Sequence, residues 1–167
     1  MKDAESIVEL IPRLRRYARA LAGDRIAADD LVQDTLERAW SKLHLYRRGT
    51  DLRAWLFTVM HNVYVNQLRA MRPAAQFDEE MPELAPPARA TDTLELRDVD
   101  AAIRRLPPDQ REVLLLVALE EMSYEEAAGA LGIPIGTVMS RLARAREKLR
   151  SMLSGLPPGG QQLKIVK

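Results

Sequence analysis

The stretch that decides the fold is SYEEAAGALGIPIGTVMSRLARAREKLR, residues 123–150. Ser123, followed three residues later by a Glu, forms a capping box that satisfies two backbone N–H groups at a helix start. Ala128 lets a second helix approach, and Gly132 can take the positive φ of a tight turn. Val138, six residues further on, packs the two helices together. This spacing predicts a helix-turn-helix, with an ordinary helical hairpin as the alternative.

The second helix of this motif is basic on its outward side. Between Arg141 and Arg150 the chain has five Lys or Arg residues and one Glu. Such a stripe attracts nucleic acid, although a solvated helix face is the alternative. We predict that Ile135, Val138 and Leu142 face inward and that the N-terminal half of the helix enters a major groove. The outward residues, which include Arg and hydroxyl groups suited to bases and phosphates, are Thr137, Met139, Ser140, Arg141, Arg144 and Lys148.

The composition of the 167-residue chain favours a helical, soluble protein. Hydrophobic residues make up 47%, which is enough to bury a core, and aromatic residues only 5%. There is no Cys, so disulfides and thiolate metal sites are excluded. His44 and His61 lie near no ligand cluster, and we expect no metal and no cofactor. The N-terminus lacks the layout of a signal peptide and no apolar run is long enough to cross a membrane, so we expect a cytoplasmic protein without membrane insertion.

The first 72 residues predict three amphipathic helices. Apolar residues follow a helical period over residues 5–22, 26–44 and 52–71, with Gly49 as the turn residue of the loop 45–51. In the second helix we expect Trp40 to face inward together with Val32, Leu36, Ala39 and Leu43. Three such helices with short connections can form a compact bundle, so residues 1–72 are predicted to be one domain.

A change in composition separates this bundle from the helix-turn-helix. Residues 73–92 contain four Pro, several acidic residues and few large apolar groups, which predicts a flexible, acidic linker over residues 73–93. A second domain is expected over residues 94–153, followed by a loose tail over residues 154–167. The predicted fold class is all-α, with two small helical domains joined by the linker.

Three stretches carry a resemblance to a known family. They are DDLVQDT (29–35) with RAW (38–40), LRAWL (52–56) with Asn62, and the region from Leu106-Pro107 through SYEEAA (123–128) to GTVMSRLARAR (136–146). In this order, separated by an acidic linker, they resemble the extracytoplasmic-function (ECF) sigma factors of bacterial RNA polymerase. Phosphate-binding glycine loops and metal-ligand sets are missing from the sequence, so an enzyme is not expected.

The resemblance assigns core polymerase binding to the second helix. In the family, this helix docks on the clamp coiled coil of the largest polymerase subunit, and the flap is a further contact of the factor. Acids and amides on such a face can pair with a basic helical hairpin. Without the resemblance, the face would be interpreted as solvated. The residues implied are Asp30, Gln33, Asp34 and Arg38.

The resemblance also divides promoter recognition between the two domains. The loop from Tyr46 to Leu52 matches the part that captures a flipped base of the −10 element, and amides and a guanidinium on one helix face suit single-stranded DNA. Tyr46 could stack on a base or belong to the core. The residues implied in −10 binding are Tyr46, Arg47, Arg48, Asn62, Asn66 and Arg69. The outward face of the last helix, given above, is implied in reading the −35 element.

Three functional hypotheses follow from these patterns. The first is a transcription initiation factor that binds core RNA polymerase and promoter DNA and that, as the resemblance implies, is regulated by an anti-sigma factor. The second is a stand-alone DNA-binding regulator, for which the sequence shows neither a ligand pocket nor a dimer seam. The third is a sigma-like decoy that sequesters a regulator. For the acidic linker, threading towards the RNA exit channel and a solubilising tether both remain open.

Overall fold

A computed structural model describes residues 2–71 and 94–154, without the side chains of residues 94–97. In this part of the chain the secondary structure is entirely helical, as the sequence predicts. The helices are α1 Lys2–Ala22, α2 Arg25–Ser41, α3 Leu52–Met71, α4 Leu94–Arg104, α5 Pro108–Leu114, α6 Tyr124–Leu131 and α7 Ile135–Ser154. The predicted linker, residues 73–93, and the predicted tail beyond Ser154 lie outside the described residues.

Helices α1, α2 and α3 pack against one another as the predicted bundle, which we call the first half. The predicted stripe of α1 is confirmed, with Leu14 and Leu21 completely buried. Gly23 ends the helix with a φ of +79°, a left-handed conformation that glycine adopts without strain. The Asp24 side chain then caps α2 by accepting a hydrogen bond from the backbone N–H of Ala27 at 3.2 Å.

The predicted inward position of Trp40 is wrong. Its side chain is 55% exposed, whereas Ala39 beside it is completely buried. One residue turns an α-helix by about 100°, so neighbouring side chains point in different directions; at this end of α2 the small Ala39 faces the bundle and Trp40 points away from it. Thr35 takes a core position instead. Helix α2 also ends earlier than predicted, at Ser41, and a short 3₁₀ turn over Leu43–Leu45 follows it.

Helices α4 to α7 form the second half of the molecule. The Pro107-Pro108 pair separates α4 from α5, and Pro108 occupies the first helical position of α5. The apolar segment 113–119 is predicted by the sequence to belong to the same helix as Pro108, but the structure forms a π-helical turn over Leu115–Leu119. The turn is closed by the backbone N–H of Glu120, which donates to the carbonyl of Leu115 at 3.1 Å. Glu121 has a φ of +56°, which is unusual for a residue with a side chain.

The two halves pack directly on each other, and a single cluster of buried apolar residues runs through both. Helix α1 contacts α4 and α5, and α3 contacts α6. The sequence of α3 predicts that Leu56, Val59 and Val63 face inward, and the structure buries Phe57, Met60 and Tyr64 as well. Tyr17 meets Phe57 edge-on, with ring centroids 4.9 Å apart. The first half therefore presents apolar surface on two sides, one for its own bundle and one for the second half.

Candidate nucleic-acid and polymerase interfaces

The predicted helix-turn-helix is present as α6 and α7. The Ser123 hydroxyl accepts from the N–H of Glu126 at 3.0 Å, and the Glu126 carboxylate accepts from the N–H of Ser123 at 2.9 Å, which completes the capping box. Gly132 ends α6 with a φ of +68°. Val138 is completely buried between the helices. These local features orient α7 so that one of its sides is packed and the other is presented to solvent.

The outward side of α7 is largely accessible. Ser140, Arg144 and Lys148 are exposed, and Met139 is 50% exposed. The predicted inward position of Ile135 is wrong, because this residue lies in the first turn of α7 and is 42% exposed. An accessible helix with cationic and hydroxyl side chains can contact bases and phosphates.

Two residues predicted to face outward are less accessible than expected. Thr137 and Arg141 are each half-buried. The guanidinium Nε of Arg141 lies 3.5 Å from a carboxylate oxygen of Asp109 on α5. Arg141 would therefore have to exchange this ion pair for a contact to DNA.

The loop predicted to capture a −10 base is organised around Tyr46. The Tyr46 hydroxyl donates to the carbonyl of Thr50 at 2.6 Å, and its ring lies 5.3 Å from that of Trp55. Tyr46 is half-buried, so both of its predicted roles, stacking and packing, are compatible with this position. Arg47 is exposed, and the Nε of Arg48 donates to Asp3 at 3.1 Å.

Helix α3 presents the predicted polar face to solvent. Asn62, Asn66 and Arg69 are all exposed, and their spacing of four and three residues places them on one side of the helix. The amide of Gln67 donates to Asp34 on α2 at 2.7 Å, which connects this helix to the predicted polymerase-binding face. The four residues of that face, Asp30, Gln33, Asp34 and Arg38, are exposed.

Sequence reasoning missed a set of polar contacts between the halves. His61 Nδ1 lies 2.7 Å from a carboxylate oxygen of Glu112, which is 5% exposed. Burial raises the pKa of Glu112, and the hydrogen bond and charge of His61 oppose that shift. The only signal in the sequence was that two acids, Glu112 and Glu120, flank the apolar segment 113–119.

Arg111 is a second contact that the sequence did not indicate. Its guanidinium donates to the carbonyl of Leu21 at 2.8 Å, across the boundary between the halves. Within the second half, it donates to the carbonyls of Ile103, Arg104 and Leu106 at 3.2, 2.9 and 2.7 Å. Desolvation lowers the pKa of Arg111. One side chain thus satisfies carbonyls at the ends of two helices from different halves.

The described residues contain neither a metal-binding group nor a membrane-spanning helix. No group of acidic and His side chains there is arranged to hold a metal ion. Among the described helices, none combines the length and apolar character of a membrane span.

Two family models match the two halves separately. Residues 7–61 match the sigma2 domain of PhyR, and residues 96–149 match region 4 of sigma-70. The ECF RNA polymerase sigma factor EcfG of Rhodopseudomonas palustris is 38% identical over 151 residues, covering 89% of this chain and 83% of that protein. The chain belongs to the ECF RNA polymerase sigma factors. The family resemblance inferred from the sequence is therefore confirmed.

Solved structures of sigma factors resemble this chain over nearly its whole length. The sigma factor RpoE of Bartonella quintana, in complex with the anti-sigma factor NepR, is 36% identical with a TM-score of 0.77, covering 92% of this chain and 98% of that one. CnrH, in complex with the cytosolic domain of CnrY, is 31% identical with a TM-score of 0.67, covering 92% of this chain and 88% of that one. The PhyR–NepR complex of a Sphingomonas species, at 24% identity and a TM-score of 0.69, shares the fold.

Proposed function

We propose that this sigma factor binds core RNA polymerase through α2 and contacts promoter DNA through α3 and α7. The observation that carries the proposal is that the three predicted faces are accessible on separate helices. Asp34 on α2, Asn62 on α3 and Arg144 on α7 are all exposed. The domain roles follow: residues 1–72 serve core binding and the −10 element, and residues 94–153 serve the −35 element.

Exposed polar groups on α2 suit a partner surface of opposite charge. Asp30 and Asp34 supply carboxylates, and Arg38 one turn later supplies a guanidinium, so the face is patterned rather than uniformly charged. Charge patterns of this kind fix the register of a docked helical hairpin and speed its association. We assign to this face of α2 the contact with the clamp of the largest polymerase subunit. To the second half we assign a contact with the flap.

The test is reconstituted initiation. The purified chain is mixed with bacterial core polymerase and promoter fragments, and initiated transcripts are measured. The proposal predicts a stable complex with core and promoter-dependent transcripts. Failure to bind core would contradict it, and DNA binding in the absence of core would favour a stand-alone regulator. In this proposal the factor works with polymerase in the cytoplasm and catalyses no reaction of its own.

We further propose that an anti-sigma factor regulates this chain. Two of the sigma factors that it resembles, RpoE and CnrH, were solved with such partners, NepR and the cytosolic domain of CnrY. Addition of an anti-sigma factor of the NepR class should abolish the transcripts of the reconstituted reaction. An anti-sigma factor that binds neither half would contradict this part of the proposal.

A decoy function is the second candidate, because the model that matches residues 7–61 is the sigma2 domain of PhyR. A solved PhyR from Bartonella quintana, bound to NepR, is called an anti-anti-sigma factor. A decoy needs to bind only the anti-sigma factor, so an exposed basic recognition helix serves no purpose in it. Binding of the anti-sigma factor without any transcription would favour the decoy.

A further inference from the structure

Glu120 is a carboxylate buried between the two halves. It follows the π turn, and its side chain is completely inaccessible to solvent. Its ion-pair partners among the described residues come from α1, in the other half: Arg13 Nε lies 3.4 Å from Oε1, and Arg16 Nη2 lies 3.5 Å from Oε2. A third arginine of the first half, Arg53 on α3, donates to the backbone carbonyl of Glu120 at 2.6 Å.

These contacts exist only while the halves are together. A buried carboxylate is costly unless it is paired, so the two α1 arginines are what makes the position of Glu120 tolerable. The arginines themselves remain partly accessible, with side-chain exposures of 42% for Arg13 and 55% for Arg16. When the halves separate, water replaces each set of partners. The arrangement therefore stabilises one relative position of the halves rather than the fold of either.

The closed arrangement keeps the two DNA-binding halves in direct contact. Elements centred near −35 and −10 are about 25 base pairs apart, which is on the order of 80 Å of duplex at 3.4 Å per base pair. In the structure, α3 and the segment before α6 are in hydrogen-bond contact through Arg53. Helix α7, with 20 residues, is only about 30 Å long. Each DNA-binding face is accessible, and two halves in contact are expected to move apart before they reach elements this far apart.

We propose that Glu120, Arg13, Arg16 and Arg53, here called the interdomain latch, hold the unbound chain closed and must release before both promoter elements are bound. This inference rests on the proposed function. The whole-chain likeness to RpoE in its complex with NepR shows that a related sigma factor can adopt the same arrangement of its halves. The TM-score is 0.77 over 92% of the chain. Neither half alone contains enough of the 167 residues to give this score, so both halves must superpose at the same time.

The first test measures closure directly. The chain contains no Cys, so Cys introduced at the exposed positions Glu9 on α1 and Glu147 on α7 can carry a dye pair specifically. The double variant Arg13→Ala/Arg16→Ala leaves Glu120 without its ion-pair partners in the closed form only. We expect the ratio of closed to open molecules to fall roughly 10- to 100-fold, seen as a loss of energy transfer. The matched control is Arg15→Ala/Arg19→Ala, which removes the same two charges from exposed positions on the same helix and should leave energy transfer unchanged.

A second pair of measurements separates the latch from a general loss of stability. Circular dichroism should show the helical content of Arg13→Ala/Arg16→Ala unchanged, and Arg13→Lys/Arg16→Lys, which keeps both charges, should recover closure. With core polymerase, the Ala double variant should form complexes on a full promoter more readily than the parent chain. Its affinity for a fragment that carries only the −35 element should equal that of the parent.

Two results would overturn the latch. One is unchanged energy transfer in the Arg13→Ala/Arg16→Ala variant. The other is a gain in affinity that is equal for the half-site and the full promoter, which would mean that closure masks a single face instead of limiting the span. If the parent chain yields no transcripts, the proposed function fails, whereas the energy-transfer experiment still decides whether the latch exists.

Discussion

Replacing Arg111 by Ala measures what one guanidinium contributes to joining the two halves. Its five N–H donors serve four backbone carbonyls, of which that of Leu21 belongs to the first half and the other three to the second. A hydrogen bond from a charged donor contributes about 1.5–3 kcal/mol to stability, and the desolvation of the guanidinium, which lowers its pKa, offsets part of the sum. We therefore expect a loss of about 3 kcal/mol in the free energy of unfolding, less than four independent bonds would give.

The assay is urea unfolding followed by circular dichroism, with thermal unfolding as a second readout. For a chain of this size, 3 kcal/mol corresponds to a drop in Tm of about 6–12 °C. Arg105→Ala serves as the matched control, because Arg105 is an exposed arginine close by in the sequence. Its stability should stay within about 0.5 kcal/mol of the parent.

Arg111→Lys distinguishes the geometry of the guanidinium from its charge. A lysine keeps the charge, but its ammonium is a compact donor that cannot reach carbonyls on several sides as a planar fork does. We expect it to recover less than half of the loss. The reasoning is refuted if Arg111→Ala is as stable as Arg105→Ala, or if Arg111→Lys restores the stability of the parent in full.

Three further predictions concern binding and pH. Arg144→Ala should weaken binding to a −35 fragment by about 1–3 kcal/mol if it contacts a base, and equal affinity in a mobility-shift titration would contradict that role. Asp34→Ala should weaken binding to core polymerase in a pull-down titration and leave binding to the −35 fragment unchanged. The control is Glu9→Ala, which removes an exposed carboxylate from α1, and an equal loss of core binding in both variants would argue against a specific face. Burial raises the pKa of Glu112, so its contribution to stability is present at low pH and is lost as the pH rises through that raised pKa. The parent should therefore lose stability relative to the Glu112→Gln variant as the pH rises from mildly acidic to neutral. If the urea midpoints of the two proteins change by the same amount over this range, the prediction is contradicted.

The helices and their ends could largely be predicted from the sequence because their signals are local. Ser123 and Gly132 act through backbone conformation and hydrogen bonds within a few residues, and each is found where the pattern placed it. The apolar stripe of α1 was predicted for the same reason. Trp40 and Ile135 were misplaced because an apolar side chain beside a buried neighbour, or in the first turn of a helix, fits a helical period without being buried.

The contacts between the halves could not be predicted, since they depend on residues far apart in the sequence. Arg16 and Glu120 are separated by 104 positions, and His61 and Glu112 by 51. Periodicity identifies which side of a helix is apolar, but it does not indicate which charged residue becomes buried against a distant partner. For the candidate site, the residue types of the polymerase- and DNA-binding faces came from the family resemblance, and the structure adds that most of them are accessible and that Arg141 is already paired with Asp109.

The π turn over Leu115–Leu119 sets the rotational register of the two acids at its ends. In an uninterrupted α-helix, residues eight apart differ by about 80° around the axis. The one extra residue of a π turn reduces that difference to about 20°, so Glu112 and Glu120 both point towards the first half, one at His61 and the other at the α1 arginines. The number of residues in this apolar segment therefore determines the direction in which the two acids point, whereas its hydrophobic composition does not. Deleting a single apolar residue would preserve the hydrophobicity of the segment but rotate one acid out of alignment with the other.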